Sequence, residues 1–139
     1  MTKEHNLGLF KKILYYGTVF NAVFIGVFYL VFPLICPFFF ENFAKESNMV
    51  LNIFLIANVF SLPSVFLGYP FLAAWGHPNY CNYSLLFTSI FHIVGLLILF
   101  IVGAISIYSV AAMVLFCEVL LLVIRIYGVK KYKLWIVKK

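Results

Sequence analysis

Two side chains able to exchange a proton, His92 and Glu118, stand 13 residues before and 13 residues after Ile105, in stretches that are otherwise apolar. If the chain turns at Ile105 into two antiparallel helices, imidazole and carboxylate lie at nearly equal depth. A hydrogen bond or ion pair between them is then feasible. As chemistry, the pair offers proton uptake at Glu118 with His92 tuning its affinity, and ionisable groups at membrane depth are functional candidates by default. The same two residues also suit a structural helix–helix bond that needs only to be satisfied. Both readings stand at this level. Arg125 follows Glu118 by seven residues, two turns along the same helical face, and its long side chain can snorkel to the headgroups as an anchor. Asn21, Asn52 and Asn58 are further polar groups within apolar segments, a position from which Asn commonly links helices.

The elements that must position these residues follow from composition. Of 139 residues, 65% are hydrophobic and 10% charged, with a mean hydropathy of +1.11. Soluble domains are about 45–50% apolar and about 25% charged, so lipid is the natural solvent. The apolar residues come in long unbroken runs rather than alternating with polar ones, which excludes a membrane β-barrel. The expectation is an all-α, polytopic integral membrane protein with the bilayer as its first partner. A spanning helix takes about 20 residues. Four spans fit, at about 13–32, 49–74, 84–103 and 107–127, in one domain covering 1–139 with a basic tail at 128–139.

Pro33 and Pro37 should end or bend the first helix. Glu41 to Glu46 forms the first loop. Pro63 kinks the second helix, Gly68 and Pro70 weaken it further, and Trp75 sits at interface depth. Gly76-His77-Pro78-Asn79 is turn chemistry. Ala22 and Gly26 form a small-x-x-x-small patch suited to close packing. Four spans put both termini on one side, together with Lys3, Lys11, Lys12, Arg125, Lys130, Lys131, Lys133, Lys138 and Lys139. Lys45 alone falls on the other side, beside Glu41 and Glu46. By the positive-inside rule both termini are cytoplasmic.

A net charge of +6 would raise nucleic-acid binding in a soluble protein. Here the basic residues flank apolar spans, so they are assigned to topology and lipid headgroups, with no nucleic-acid partner. Cys36, Cys81 and Cys117 lie far apart and behave as small hydrophobes. No glycine-rich phosphate loop, H-E-x-x-H or G-x-S-x-G is present, and no carboxylate cluster is available for a metal. The chain is therefore not expected to be an enzyme or to use a cofactor or metal.

Two stretches carry a resemblance. One is Leu67-Gly68-Tyr69-Pro70-Phe71-Leu72-Ala73-Ala74-Trp75-Gly76-His77-Pro78, followed by Asn82-Tyr83-Ser84; the other runs from Glu118 to Arg125-Ile126-Tyr127. Both resemble the C-terminal part of bacterial O-antigen and polysaccharide flippases, relatives of the multidrug-and-toxin extruders, in which a G-Y-x-x-L-x-A-x-G stretch closes a span near the cytoplasm. The resemblance covers about Phe10 to Lys133. It departs from the family in span number, since members have about twelve spans in two lobes, and in the turn after the first span, which here reads Phe40-Glu41.

The resemblance implies the bacterial inner membrane and translocation of an undecaprenyl-diphosphate-linked oligosaccharide, coupled to an ion gradient. The expected binding residues are Glu118, His92, Arg125, Asn21 and Asn58. Glu118 would carry the coupling proton, and Arg125 with the basic rim would attract the diphosphate. As a fragment or truncated form, the chain would need the remaining flippase helices as partners. The rival readings are a complete small proton-coupled exporter that self-associates, and a non-transporting membrane assembly subunit.

Overall fold

The computed structural model describes residues 3–40 and 43–134. These form four helices: α1 (Lys3–Phe40), α2 (Ala44–Leu67), α3 (Pro78–Ile101) and α4 (Ile107–Lys131). No strand occurs among the described residues. Each helix includes a segment long and apolar enough to cross a membrane, and each leaves most of that segment's surface exposed to its surroundings. In lipid such exposure carries no hydrophobic penalty, because acyl chains are as apolar as the side chains they touch.

The helices pack in the order α1, α2, α4, α3, and α2 and α4 form the central pair. No extensive contact joins α1 to α3 among the described residues. The arrangement is an open row rather than a closed bundle, and it leaves the outer faces of α1 and α3 uncovered. The best-packed core lies at the basic end. There Leu7, Leu67, Phe71, Leu72 and Val129 are buried together, with Phe10, Trp75, Tyr80 and Tyr132 against them.

The hairpin expected around Ile105 is built by two local devices. Gly103 takes a left-handed conformation (φ 70°) just after α3. The Ala104 amide then donates to the Leu99 carbonyl and the Gly103 amide to that of Phe100, satisfying carbonyls the helix leaves open. Ser106 starts α4 with a reciprocal cap: its hydroxyl accepts from the Ser109 amide at 3.1 Å, and its own amide donates to the Ser109 hydroxyl at 2.8 Å.

Helix α1 differs from its expected span. It runs unbroken through both Pro33 and Pro37 to Phe40. Each proline removes one backbone hydrogen bond, whereas ending the helix within the apolar run would leave about four carbonyls unpaired there rather than beyond Phe40. In an apolar solvent the smaller loss prevails. The first connection is also shorter than expected. Helix α2 begins at Ala44, so Lys45 and Glu46 belong to its first turn, where an acidic side chain suits the helix dipole. Glu41, and Lys138 and Lys139 of the basic tail, lie outside the described residues.

Asn21 and Asn58 hold α1 to α2. The Asn21 amide donates to the Asn58 backbone carbonyl at 3.2 Å, and the Asn58 amide donates back to Asn21 Oδ1 at 3.3 Å. Asn21 is buried in this contact. The small patch at Ala22 and Gly26, by contrast, is exposed, and no neighbouring helix approaches the Gly26 backbone. Substituting Asn21→Leu removes both bonds, since its side chain donates one and accepts the other, and is expected to lower unfolding stability by about 1 kcal/mol. Denaturant titration in mixed micelles measures it, and an unchanged midpoint would show that apolar packing alone holds α1.

Candidate functional site

The site develops along the seam between α3 and α4. Cys81, Ser84, Thr88 and His92 recur every three or four residues and so line one stripe of α3. Within the stripe the Ser84 hydroxyl donates to the Cys81 carbonyl at 2.7 Å, and the Thr88 hydroxyl donates to the Ser84 carbonyl at 2.8 Å. Returning these hydroxyls to their own helix satisfies them where no water is available. Glu118 and Arg125 face the seam from α4 at two different levels.

At the level of Glu118 the seam opens into a groove of about 410 Å³, whose lining includes Thr88, Ser89, His92, Cys117 and Glu118. Only α3 and α4 contribute to it. His92 and Glu118 are both half-buried. Counting about 1.5 Å per residue from the hairpin end, His92 lies about 14 Å and Glu118 about 17 Å along their helices, near the middle of segments long enough to cross a hydrocarbon layer of about 30 Å. The equal depth expected of the two residues is therefore met. The direct bond that this depth makes feasible is not formed: His92 Nδ1 lies 3.4 Å from Cys117 Sγ, and Glu118 makes no hydrogen bond with any described residue. One residue of helical rotation separates Cys117 from Glu118, about 100° around the axis, which turns the thiol toward His92 and the carboxylate along the groove.

At the level of Arg125 the seam is closed. Arg125 is 3% exposed, so it does not reach toward the headgroups as its place near the end of the span suggested. Its guanidinium turns inward and joins three elements. Nη1 donates to the Ser64 carbonyl at 2.6 Å and lies 3.4 Å from the Ser64 hydroxyl, both on α2. Nε donates to the Ser84 hydroxyl at 3.4 Å, and Nη2 lies 3.9 Å from Cys81 Sγ, both on α3. None of these partners is a carboxylate. A cation buried in lipid is costly unless its donors are used. Here the planar fork distributes its charge over a backbone carbonyl and small polar side chains.

The backbone of α2 makes room for this. From Gly68 to Ala73 the helix widens into a π-helical turn that contains Pro70. A proline has no amide to offer the regular ladder, and a shift to five-residue bonds, such as Ala74 amide to Tyr69 carbonyl at 3.3 Å, accommodates it. Gly68 lies at the junction. A β-carbon there would stand 2.8 Å from Arg125 Cζ and 2.9 Å from Nη1, so only glycine lets the guanidinium rest on the helix.

Of the five residues expected to bind substrate, the structure thus brings Glu118 and His92 into one groove and buries Arg125 in the same seam nearer the basic end. Asn21 and Asn58 bond to each other at the α1–α2 contact, where none of the groove's lining residues lies. Sequence reasoning missed the partners of Arg125: Ser64, Gly68, Cys81 and Ser84. The available signal was a small-x-x-x-small pair at Ser64 and Gly68, one span later than the pair singled out at Ala22 and Gly26.

Gly68→Ala is expected to lower stability by about 1–3 kcal/mol, the usual range for forcing an extra carbon into a packed site. The same substitution in an Arg125→Met background is expected to cost at least about 1 kcal/mol less, since the colliding group is gone. Unfolding midpoints of the four proteins give this coupling, and additive losses would refute the contact.

No family model, curated protein or solved structure matches the chain, so these comparisons identify no flippase family.

Proposed function

We propose that this chain forms one wall of a membrane transport path, with Glu118 as the group that takes up and releases a coupling proton. The observation that carries this reading is the shared groove of Glu118 and His92, half-way along two apolar helices and covered by no other described helix. A carboxylate in that position would face hydrocarbon if nothing lay opposite. Its energetics are acceptable only against water, a polar solute or further protein. Transport paths supply such surroundings, and a titrating carboxylate beside an imidazole is suited to ion coupling.

The solute class comes from the resemblance to polysaccharide flippases: an undecaprenyl-diphosphate-linked oligosaccharide crossing a bacterial inner membrane, with both termini of the chain in the cytoplasm. Four helices in an open row do not enclose a cavity for so large a solute, so the wall works together with further helices. The basic residues at one end, including Lys11, Lys12, Lys130, Lys131 and Lys133, support the orientation and would draw the diphosphate to the cytoplasmic mouth. In this scheme Arg125 holds the seam together rather than meeting the solute.

A structural reading of His92 has its own support, because its ring already has a partner in Cys117. Glu118→Gln separates the two readings. It keeps the shape of the side chain and removes the titrating proton. Cells carrying it are expected to lose at least tenfold in surface polysaccharide export, while the chain inserts and unfolds as the parent does. Full export by the variant would exclude proton coupling at Glu118; loss of folded chain in the membrane would assign the residue to packing. Purified chain alone, in vesicles, is expected to move no fluorescent lipid-linked oligosaccharide, and robust movement would overturn the need for further helices.

A further inference from the structure

A second groove lies on a different face of α4 from the α3 seam, between α1, α2 and α4. Its volume is about 490 Å³, within the 300–1,000 Å³ range of small-ligand sites. The walls are apolar: Leu14 on α1, Pro63 and Leu67 on α2, Leu122 and Ile126 on α4. The one charged residue in the lining is Lys130. Leu122, Ile126 and Lys130 repeat every four residues along a single stripe of α4, so the groove runs about 12 Å inward from the level of Lys130, whose methylene stem lines it. Lys131 is engaged over the Tyr132 ring at 5.7 Å, which leaves Lys130 as the cation at the groove mouth on α4.

From this geometry we infer a binding site for one anionic phospholipid of the host membrane, its phosphate on Lys130 and an acyl chain along the groove toward Leu122. An apolar channel with a cation at its mouth matches an amphiphile with a negative head. A helix from a second copy of the chain would set hydrocarbon against Lys130, and a zwitterionic lipid would gain less from it. Lys11 and Lys12 lie within a turn of Leu14 in sequence, at the same end of the bundle, and add to the positive field that draws an anionic headgroup there. The site is separate from the Glu118 groove, and its occupancy is independent of proton coupling. A bound lipid would fill the space between α1, α2 and α4 that Pro63 helps to line.

The test uses the full chain in phosphatidylcholine nanodiscs containing a trace of phosphatidylglycerol with a photoreactive acyl chain, or of phosphatidylcholine with the same chain. Phosphatidylglycerol is expected to label peptides containing Leu67 and Leu122 about fivefold more than phosphatidylcholine does. Lys130→Gln should remove most of that difference, which corresponds to roughly 1 kcal/mol of headgroup attraction per lysine. Leu122→Trp fills the groove and is expected to lower labelling by both probes, whereas Leu97→Trp, on the exposed face of α3, and Glu118→Gln should leave it unchanged. If Leu122→Trp does not fold, the headgroup comparison and Lys130→Gln decide alone. Equal labelling by the two headgroups, labelling mapped outside the groove, or a phosphatidylglycerol preference that survives Lys130→Gln would each overturn the site.

Discussion

Arg125 is the constraint around which the rest of this protein is arranged. A guanidinium cannot lose its proton at any ordinary pH, so once it is turned away from the headgroups the fold must supply acceptors for it. No carboxylate among the described residues does so. The acceptors are the Ser64 carbonyl and hydroxyl, the Ser84 hydroxyl and the Cys81 sulfur, drawn from α2 and α3. One side chain thereby fixes the distance and rotation of three helices. Such a junction is directional, which apolar packing in lipid is not.

The unusual backbone of α2 follows from that junction. Pro70 breaks the regular ladder, and the π-helical turn from Gly68 to Ala73 absorbs the break. The widening coincides with the point where Arg125 lies against Gly68. Proline, glycine and serine, each a weak helix former in water, are here what allows a cation to be housed. Above the junction the same α3–α4 seam loosens into the groove of Glu118 and His92. A rigid base below the groove holds the Glu118 carboxylate at a fixed place along the seam.

The open row of helices gives the two outer faces different roles. The α3 side presents a groove that holds the Glu118 carboxylate and the His92 imidazole among apolar residues such as Leu85 and Leu121. The α1 side presents an apolar groove ending at Lys130 and is matched by lipid itself. The placement of ionisable groups along the helices therefore distinguishes the two faces.

Much of the architecture was legible in the residues. Four long apolar runs can be only helices in lipid, because every backbone amide and carbonyl must be satisfied within its own segment. The tight α3–α4 hairpin could be read from the few residues around Ile105 that separate the two apolar runs, and the equal depth of His92 and Glu118 follows from counting along it. What sequence could not determine was rotation. A shift of one residue turns a side chain by about 100°, and this sufficed to give His92 to Cys117 rather than to Glu118. Whether Arg125 reached outward or inward likewise depended on Ser64 and Gly68, 61 and 57 positions earlier, which only packing brings beside it. The prolines of α1 misled for a related reason: their breaking tendency is a property measured against water, and in an apolar solvent the unbroken helix costs less. Composition and local capping fixed the helices and their depth; the polar contacts between them, which have no local signature, decided what each ionisable group faces.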